Sequence, residues 1–528
     1  MLGYLSSNHT LIAAFAPRPV RRTRHETLSL NRVFKQAPKL ADYFEDVEIP
    51  ELKGSLDRPI SGVAFDSRRV LPGNVFFAIP DLRRGEGNSI DEAASRGAVA
   101  IVTETMPALP PSKVTFIQVA DARAALARFA QRYFKFPDRD LSVVGVTGTA
   151  GKTTVAHLIK YFLSGDQRVG LIGTINYDLG ARVVPAYRST PESLDIYGMM
   201  AQMRDAGCRQ AVLEVTAGGI GQKRVHGVQL AAAVFTNHAD GNEAGAGSPE
   251  ADFEVKLRLF SGAAGPLPKA AVVNLDDSFG AALLAALPPE VRRVTFGENA
   301  LAQVRAANVA FTSRNTTFTL VWPGGEMSID SPLVGRANLS NLLAAVATAW
   351  SLGRDPVVFL AKLRAFKGVP GRMERIDAGQ SFNVFVDYAR TSDAIRQSLG
   401  ALRTLTSGRL VVVFGSGKNL NHAARSQLVQ TVQSSAEFSV ATANNPGSEP
   451  LAESFAQMSA GVSDSKRIEW IADRRRAIAR GIEICGPGDT LLITGKGHES
   501  YQKLADTVVP FDDREVVREL IVSATEKS

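Results

Sequence analysis

Val143-Val144-Gly145-Val146-Thr147-Gly148-Thr149-Ala150-Gly151-Lys152-Thr153-Thr154 is the stretch from which the rest of the chain is read. An apolar run of strand character ends in a glycine-rich turn and then opens a helical pattern. Successive backbone N–H groups of such a turn can cradle phosphate oxygens while Lys152 adds positive charge. Gly148, Thr149, Gly151, Lys152, Thr153 and Thr154 are therefore candidate nucleotide-binding residues, with Thr153 placed to meet a magnesium ion. Val146 stands where the strict phosphate-loop spacing has its first glycine, and the extra glycine is Gly148. A turn by itself does not need a lysine and two threonines at the start of a helix.

Downstream, buried-strand runs recur at 169–173, 211–215, 231–235 and 270–274, and helical patterns such as 194–206 separate several of them. That alternation predicts an α/β fold with a parallel sheet and crossover helices, in which ligands collect at the carboxyl ends of the strands. Glu214 ends one such strand and Thr236-Asn237 end the next, which makes Glu214 a candidate metal ligand. Upstream, short apolar runs at 60–65, 75–79 and 98–102 with a helical stretch at 91–97 read as a small α/β domain. A third block of alternating strands (382–386, 410–414, 438–442, 490–494) and helices follows Val369-Pro370-Gly371-Arg372-Met373-Glu374.

The 528 residues are too many for one core, and about two to four domains are expected. The boundaries predicted are an extension over 1–35 expected to be disordered, an N-terminal domain over 36–137, a central domain over 138–370 and a C-terminal domain over 371–528. The net charge of +7 suits nucleotide phosphates and acidic small molecules, and no basic patch interleaved with aromatics points to nucleic acid. Cys208 and Cys485, far apart and without metal spacing, argue for buried thiols in a reducing compartment. No apolar run reaches membrane-spanning length, so no membrane partner is expected. Residues 1–30 carry Arg18, Arg21, Arg22 and Arg24 with no acid before Glu26, which leaves an organellar transit peptide as the alternative to a simple extension.

Taken in chain order from Asp66 to Asp512, these motifs resemble those of the Mur ligase family, most closely its MurE-type members, which add the third peptide residue to UDP-N-acetylmuramoyl-L-alanyl-D-glutamate. The resemblance implies a three-domain architecture: a UDP-substrate domain, a central P-loop ATPase and a C-terminal Rossmann-like domain that brings the amino acid. It implies ATP and Mg2+, an acyl-phosphate intermediate, cytoplasmic localisation (plastid if residues 1–30 are a transit peptide) and, by default, a monomer. Ser67 and Arg68 then match the uridine-nucleotide segment, and Ser189, Thr190, Thr216, Gln222 and Arg224 the muramoyl-substrate contacts. Lys152, Glu214 and Lys256 are the implied catalytic residues, Lys256 at the place of a carbamoylated, metal-ligating lysine. From the residues alone Lys256 reads as a solvated helix lysine. Asn338, Arg372 and Asp387 match adenine, phosphate and ribose contacts, and Gly495 and Glu499 of Gly495-Lys496-Gly497-His498-Glu499 match the amino-acid site.

The departures from the family pattern cluster. Glu214-Val215-Thr216-Ala217-Gly218 keeps the acid but lacks a serine and a histidine, Ala150 replaces an asparagine, and Gly241 and Asn242 replace an aspartate and a metal-facing histidine. His238 and Asp240 are expected in a solvated loop, the alternative being that one of them substitutes for the lost residues after a local shift. Arg390 replaces a histidine, and Leu420 and Gly447 stand where arginines would pair with carboxylates of the amino acid. Each such loss removes a charge-assisted contact worth roughly 1.5–3 kcal/mol, which argues against diaminopimelate; Lys418, Arg390 and Arg425 are the candidates to rebuild a carboxylate site. An active ligase with altered amino-acid specificity is the first reading. A catalytically impaired, nucleotide-binding scaffold or regulator is the alternative, and a folylpolyglutamate synthetase is disfavoured by Asp66-Ser67-Arg68 and the muramoyl-contact segment.

Overall fold

The computed structural model describes residues 38–525 apart from 81–85, 112, 166, 239–247 and 418–419. The readings of residues 1–35, Asp240, Gly241, Asn242 and Lys418 lie outside the described residues.

The phosphate-loop strand, Ser142–Thr147, sits inside an eleven-stranded sheet between Gln210–Glu214 and Leu230–Phe235, both parallel to it. All but its first residue are buried. A strand covered on both faces has no wet side, and its sequence is accordingly a continuous apolar run. Parallel order continues through Ala270–Asn274 and Arg292–Gly297 on one side and Val169–Ile172 on the other.

The parallel sheet expected from the sequence holds for this centre only. Thr316–Trp322 and Gly325–Ser331 run antiparallel at one edge, Asn176–Asp178 and Val183–Pro185 at the other. Along Thr316–Trp322 buried and half-buried side chains alternate, as they do when one face of a strand meets the core and the other meets water. A search for continuous apolar runs passes over such strands.

The N-terminal sheet has the order Glu51–Lys53, Thr115–Gln118, Ala100–Thr103, Asn74–Phe77, Gly62–Ala64. One core joins it to the central sheet: Phe77 and Phe129 pack with Tyr197, Val143 and Phe235 in a single cluster. Each such side chain contributes about 1.5–3 kcal/mol on burial, which couples the two sheets mechanically. The opposite face of the central sheet is covered by the phosphate-loop helix, Lys152–Leu163, and by Arg336–Ser351. The third sheet, Glu374–Ile376, Asn383–Asp387, Thr490–Thr494, Leu410–Ser416, Phe438–Ala443, Ile468–Trp470 in spatial order, is parallel except for its first strand and has a core on each face.

This topology gathers polar groups at one edge. Ser142–Thr147, Gln210–Glu214, Leu230–Phe235 and Ala270–Asn274 all deliver their carboxyl ends there, bringing together Gly148 to Lys152, Glu214, Thr236 to His238 and Asn274 to Asp276. The helix Pro249–Ser261 adds Asp252 and Lys256, one turn apart; Ser248 caps it by accepting the Ala251 N–H, and Pro249 occupies its first turn.

Candidate functional site

Gly148 and Gly151 have φ of +139° and +84°. A Cβ on the first would fall on Thr236 Oγ1 and on the second on Asn341 Oδ1, so both positions demand glycine. The loop is pinned from the next strand end: Asn237 accepts from the N–H groups of Thr149 (3.0 Å) and Ala150 (2.8 Å), and Thr236 Oγ1 donates to Ala150 O (2.6 Å). Lys152 Nζ donates to Gly148 O (2.6 Å) and Thr149 O (3.0 Å), keeping its charge at the rim of the cradle. Thr154 is buried under it.

Glu214 is fully buried at its strand end. Its carboxylate accepts from Thr153 Oγ1 (2.9 Å), Thr174 Oγ1 (2.7 Å) and Thr174 N (2.9 Å). A Cβ on Gly173 would strike it. Among the described residues no three His, Cys, Asp or Glu side chains lie close enough to hold an ion. The oxygen donors here, one carboxylate and the Thr153 and Thr174 hydroxyls, nonetheless fit a hard cation that takes its remaining ligands from water and phosphate.

Lys256 is not a solvated helix lysine. It is 0% exposed, with Nζ donating to Asp252 Oδ2 (2.6 Å) and Thr149 Oγ1 (3.1 Å) and lying 3.0 Å from His238 Nδ1. His238 likewise is not in a solvated loop: it is buried against Phe253 and Phe279, and burial, then the Lys256 charge, depress its pKa. Three acceptors around one nitrogen satisfy an ammonium. A carbamate on this nitrogen would set a second anion against Asp252, out of water, and the residues present do not fit it. Asp252 escaped the sequence reading, although an acid four residues before a lysine on a helix is a visible pairing signal.

Beside the loop opens a cavity of about 730 Å³, bordered by Thr149 to Gly151, Asn237, Asn274, Asp276, Arg336 and Asn341, with Gln397 facing it from the third sheet's first helix, Ser392–Arg403. Asn338 is buried one turn before Asn341 and donates to Val334 O (3.0 Å); Asn341, not singled out from the sequence, is on the cavity wall. Its signal was its place in the first turns of a helix facing the loop. Arg372 lies over the Tyr388 ring (4.3 Å) and 3.4 Å from His498 Nδ1. Burial and the nearby Arg372 charge push His498 down to about 3, so it is neutral at physiological pH. Asp387 accepts from Ser398 Oγ (2.6 Å) and from the Tyr388 (2.9 Å) and Met373 (3.2 Å) N–H groups.

On the other side of Glu214, Thr190 Oγ1 donates to Glu214 O (2.8 Å), accepts from Thr216 N (3.0 Å) and meets Thr216 Oγ1 at 3.2 Å. Ser189 Oγ donates to Thr174 Oγ1 (2.8 Å), whose own proton goes to Glu214, and Arg224 donates to Thr190 O (3.0 Å) and to Gln222 Oε1. Ser189, Thr190, Thr216, Gln222 and Arg224 thus form one connected group. Ser67 and Arg68 stand apart from it in the N-terminal domain: Ser67 donates to Glu92 (2.5 Å), and Arg68 forks onto Asp66 (2.7 and 2.5 Å).

In the third domain Glu499 is bonded to Arg390, to Asn445 Nδ2 (2.8 Å) and to Lys496 (3.4 Å). Arg390 also donates to Gly495 O (2.6 Å) and lies over Tyr388 (4.1 Å). Arg425 is buried in a two-pronged pair with Glu449, one prong at 2.7 Å, and is not available to rebuild a carboxylate site. Cys208 is buried; Cys485 is partly exposed, and burial pushes its thiol up to about 12. No helix among the described residues is long and apolar enough to cross a membrane.

Comparison with known proteins adds an independent line. The model of the Mur ligase middle domain matches residues 146–349, and that of the Mur ligase glutamate ligase domain matches residues 371–497. UDP-N-acetylmuramoyl-L-alanyl-D-glutamate--2,6-diaminopimelate ligase of Solibacter usitatus is 37% identical over 464 residues, 88% of this chain and 93% of the relative. A solved structure of a UDP-N-acetylmuramoyl-L-alanyl-D-glutamate--2,6-diaminopimelate ligase superposes with a TM-score of 0.66 at 28% identity, covering 93% of this chain and 99% of the other. The MurF ligase of Thermotoga maritima in complex with ADP shares the fold, with a TM-score of 0.57 at 20% identity over 88% of this chain and 98% of the other.

Proposed function

The chain belongs to the Mur ligase family, and from that premise we propose that it is an ATP-dependent ligase that joins an amino acid to UDP-N-acetylmuramoyl-L-alanyl-D-glutamate in the synthesis of peptidoglycan precursors. The observation that carries this reading is the convergence of Lys152, the Thr153–Glu214 pair and Lys256 on one phosphate loop. The reading includes a cytoplasmic monomer that uses Mg2+.

The loop N–H groups and Lys152 would take the β- and γ-phosphates in place of the loop carbonyls that Lys152 now meets. Thr153 and Glu214 would hold magnesium, whose chemistry is to neutralise charge on the transferring phosphoryl group. A γ-carboxylate oxygen of the D-glutamyl group attacks the γ-phosphorus, the bond to the β-phosphate oxygen breaks, and ADP leaves. The amine of the incoming amino acid then attacks the acyl carbon, phosphate leaves with the bonding pair, and the amine loses a proton to give the amide. Lys256 serves as a fixed ammonium beside Thr149, a preorganised charge of the kind that stabilises such transfers.

The acceptor differs from diaminopimelate. Leu420 and Gly447 lack the guanidinium groups that would grip a second carboxylate, and the Arg425 charge is spent on Glu449. The inward pairing of charge at this end also favours a second reading, a nucleotide-binding scaffold without turnover. ADP release by purified protein with ATP, Mg2+ and the UDP-muramoyl dipeptide, with and without a pool of amino acids, followed by mass spectrometry, separates the two. A product heavier by one residue is expected; ATP binding without any product would replace the ligase by the scaffold.

A further inference from the structure

His498 stands between the phosphate-loop end and the amino-acid end of the molecule, and its ring is held from several sides. A Cβ on Gly371 would fall on the backbone of Gly497 and His498, so the segment that leads into the third domain is seated directly on the His498 backbone. The Tyr388 ring lies against the imidazole, with centroids 5.0 Å apart. Arg372 Nη1 lies 3.4 Å from Nδ1. On one side Arg372 is close enough to Glu214 to feel its charge; on the other the chain continues into Glu499, which Arg390 and Lys496 hold.

These contacts fix where the imidazole proton sits. A guanidinium group offers N–H donors and no acceptor, so Nδ1 must accept, and in a neutral imidazole the other nitrogen then carries the proton. The surroundings keep the ring neutral. Burial first, and then the Arg372 charge, oppose a second proton; Arg390 and Arg514, the latter from the last helix, Asp513–Thr525, add to this against Glu499. Among the described residues Nε2 has no hydrogen-bond partner, and the ring is only half-buried, so this N–H is a donor open to a ligand.

We infer that His498 is a fixed hydrogen-bond donor in the reaction: its Nε2–H serves an anionic oxygen of the phosphoryl group that passes from ATP to the γ-carboxylate, and it takes no proton from the amine. This rests on the ligase reading above and deepens it. A donor whose direction is set beforehand needs no reorganisation when charge arrives, and three neighbouring guanidinium groups make the ring a poor base. When the amine attacks the acyl carbon and phosphate leaves with the bonding pair, the N–H stays on His498 and shares the charge that phosphate takes away. The same N–H would also suit a carboxylate of the incoming amino acid, and the experiment separates the two.

The test is NMR of the full chain with 15N-labelled histidine, the His498 signals being those lost in His498→Gln. Spectra are taken without nucleotide, with Mg2+ and ADP, and with Mg2+ and a non-hydrolysable ATP analogue. Nδ1 should be unprotonated and Nε2 protonated between about pH 5 and 9, and the Nε2–H proton should move downfield with the ATP analogue and not with ADP. A second proton gained in that range, a proton on Nδ1, or the same spectrum with both nucleotides overturns the inference. In turnover, His498→Ala should lower kcat about ten- to hundredfold with the KM for the amino acid little changed. His498→Gln, whose amide nitrogen reaches the place of Nε2, should recover most of the loss; melting temperatures of both variants control for folding. An effect confined to the KM for the amino acid would assign the donor to the acceptor's carboxylate and overturn the inference, as would equal losses in the two variants or none in either. If the unaltered protein makes no product, the ligase reading falls, while the comparison of ADP with the ATP analogue still decides whether His498 serves the γ-phosphate.

Discussion

The phosphate-loop end of the cleft and the acceptor end in the third domain are both rich in charge, but they spend it differently. At the loop, glycines clear space, Thr236 and Asn237 pin the backbone from behind, and a cavity of about 730 Å³ is left in front. In the third domain the charges close on each other: Arg390 on Glu499, Arg425 on Glu449, and Arg474 on Asp513 at 2.7 Å with neither side chain exposed. A charge that faces a cavity does work on a ligand; a charge paired inside the protein specifies packing. The difference teaches that motif residues are not equivalent when present: Gly495 to Glu499 is complete in sequence, yet Glu499 already has a cationic partner.

The comparison breaks most readily at its extremes. If acceptor-end charges are structural, Arg474→Ala should cost about 3–5 kcal/mol by leaving Asp513 buried and unpaired, read as a lowered midpoint in urea; an unchanged midpoint would remove the claim. If loop-end charges are functional, Lys152→Ala should lower ATP-dependent product formation by about a hundred- to a thousandfold and weaken nucleotide binding, with little change in melting temperature. Retained turnover would mean that the cradle alone suffices.

A third prediction concerns the substrate side of the loop end. Asp195 is buried, and desolvation pushes its carboxyl up to about 6 despite the opposing Tyr187 hydrogen bond. A folded-state value above the unfolded one means that the folded protein binds the extra proton between about pH 4 and 6. Stability therefore falls as pH rises through that window, by at most about 3 kcal/mol from this group. Asp195→Asn should flatten that stretch of the stability–pH curve; a curve as steep as before would place the responsible group elsewhere.

Smaller effects sharpen the boundary. Arg390→Ala leaves Glu499 with Lys496 and Asn445 but without its guanidinium partner, so acceptors bearing a second amine should gain about tenfold in relative kcat/KM while the KM for ATP stays put. No shift in acceptor preference would show that Glu499 faces no acceptor. The smallest signal is expected from Lys256: after incubation with 13C-labelled bicarbonate, NMR should detect no carbamate carbonyl in the wild type that is missing from Lys256→Arg. Its appearance would show that the Asp252 pair opens to carbon dioxide.

Much of this arrangement was legible in the chain. The strands at Ser142–Thr147, Gln210–Glu214, Leu230–Phe235, Ala270–Asn274 and Thr490–Thr494 coincide almost to the residue with the apolar runs, because a strand buried on both faces leaves no polar interruption. The antiparallel edges were not legible as a continuation of the sheet, since half of each edge strand faces water. Lys256 and His238 were misread for a related reason. His238 sits in polar local sequence and Lys256 carries a charge that by itself predicts exposure, and both are buried by partners distant in the chain: Thr149 for Lys256, Phe279 for His238.

The amino-acid sequence by itself determined the element order, the phosphate loop and the acid at the end of the neighbouring strand, because local periodicity and the steric demands of glycine are short-range properties. The tertiary structure decided which charges are available. Whether Arg390 and Arg425 face a ligand or a protein carboxylate depends on groups 109 and 24 positions away, and the energy of a buried charge is set by what surrounds it in space.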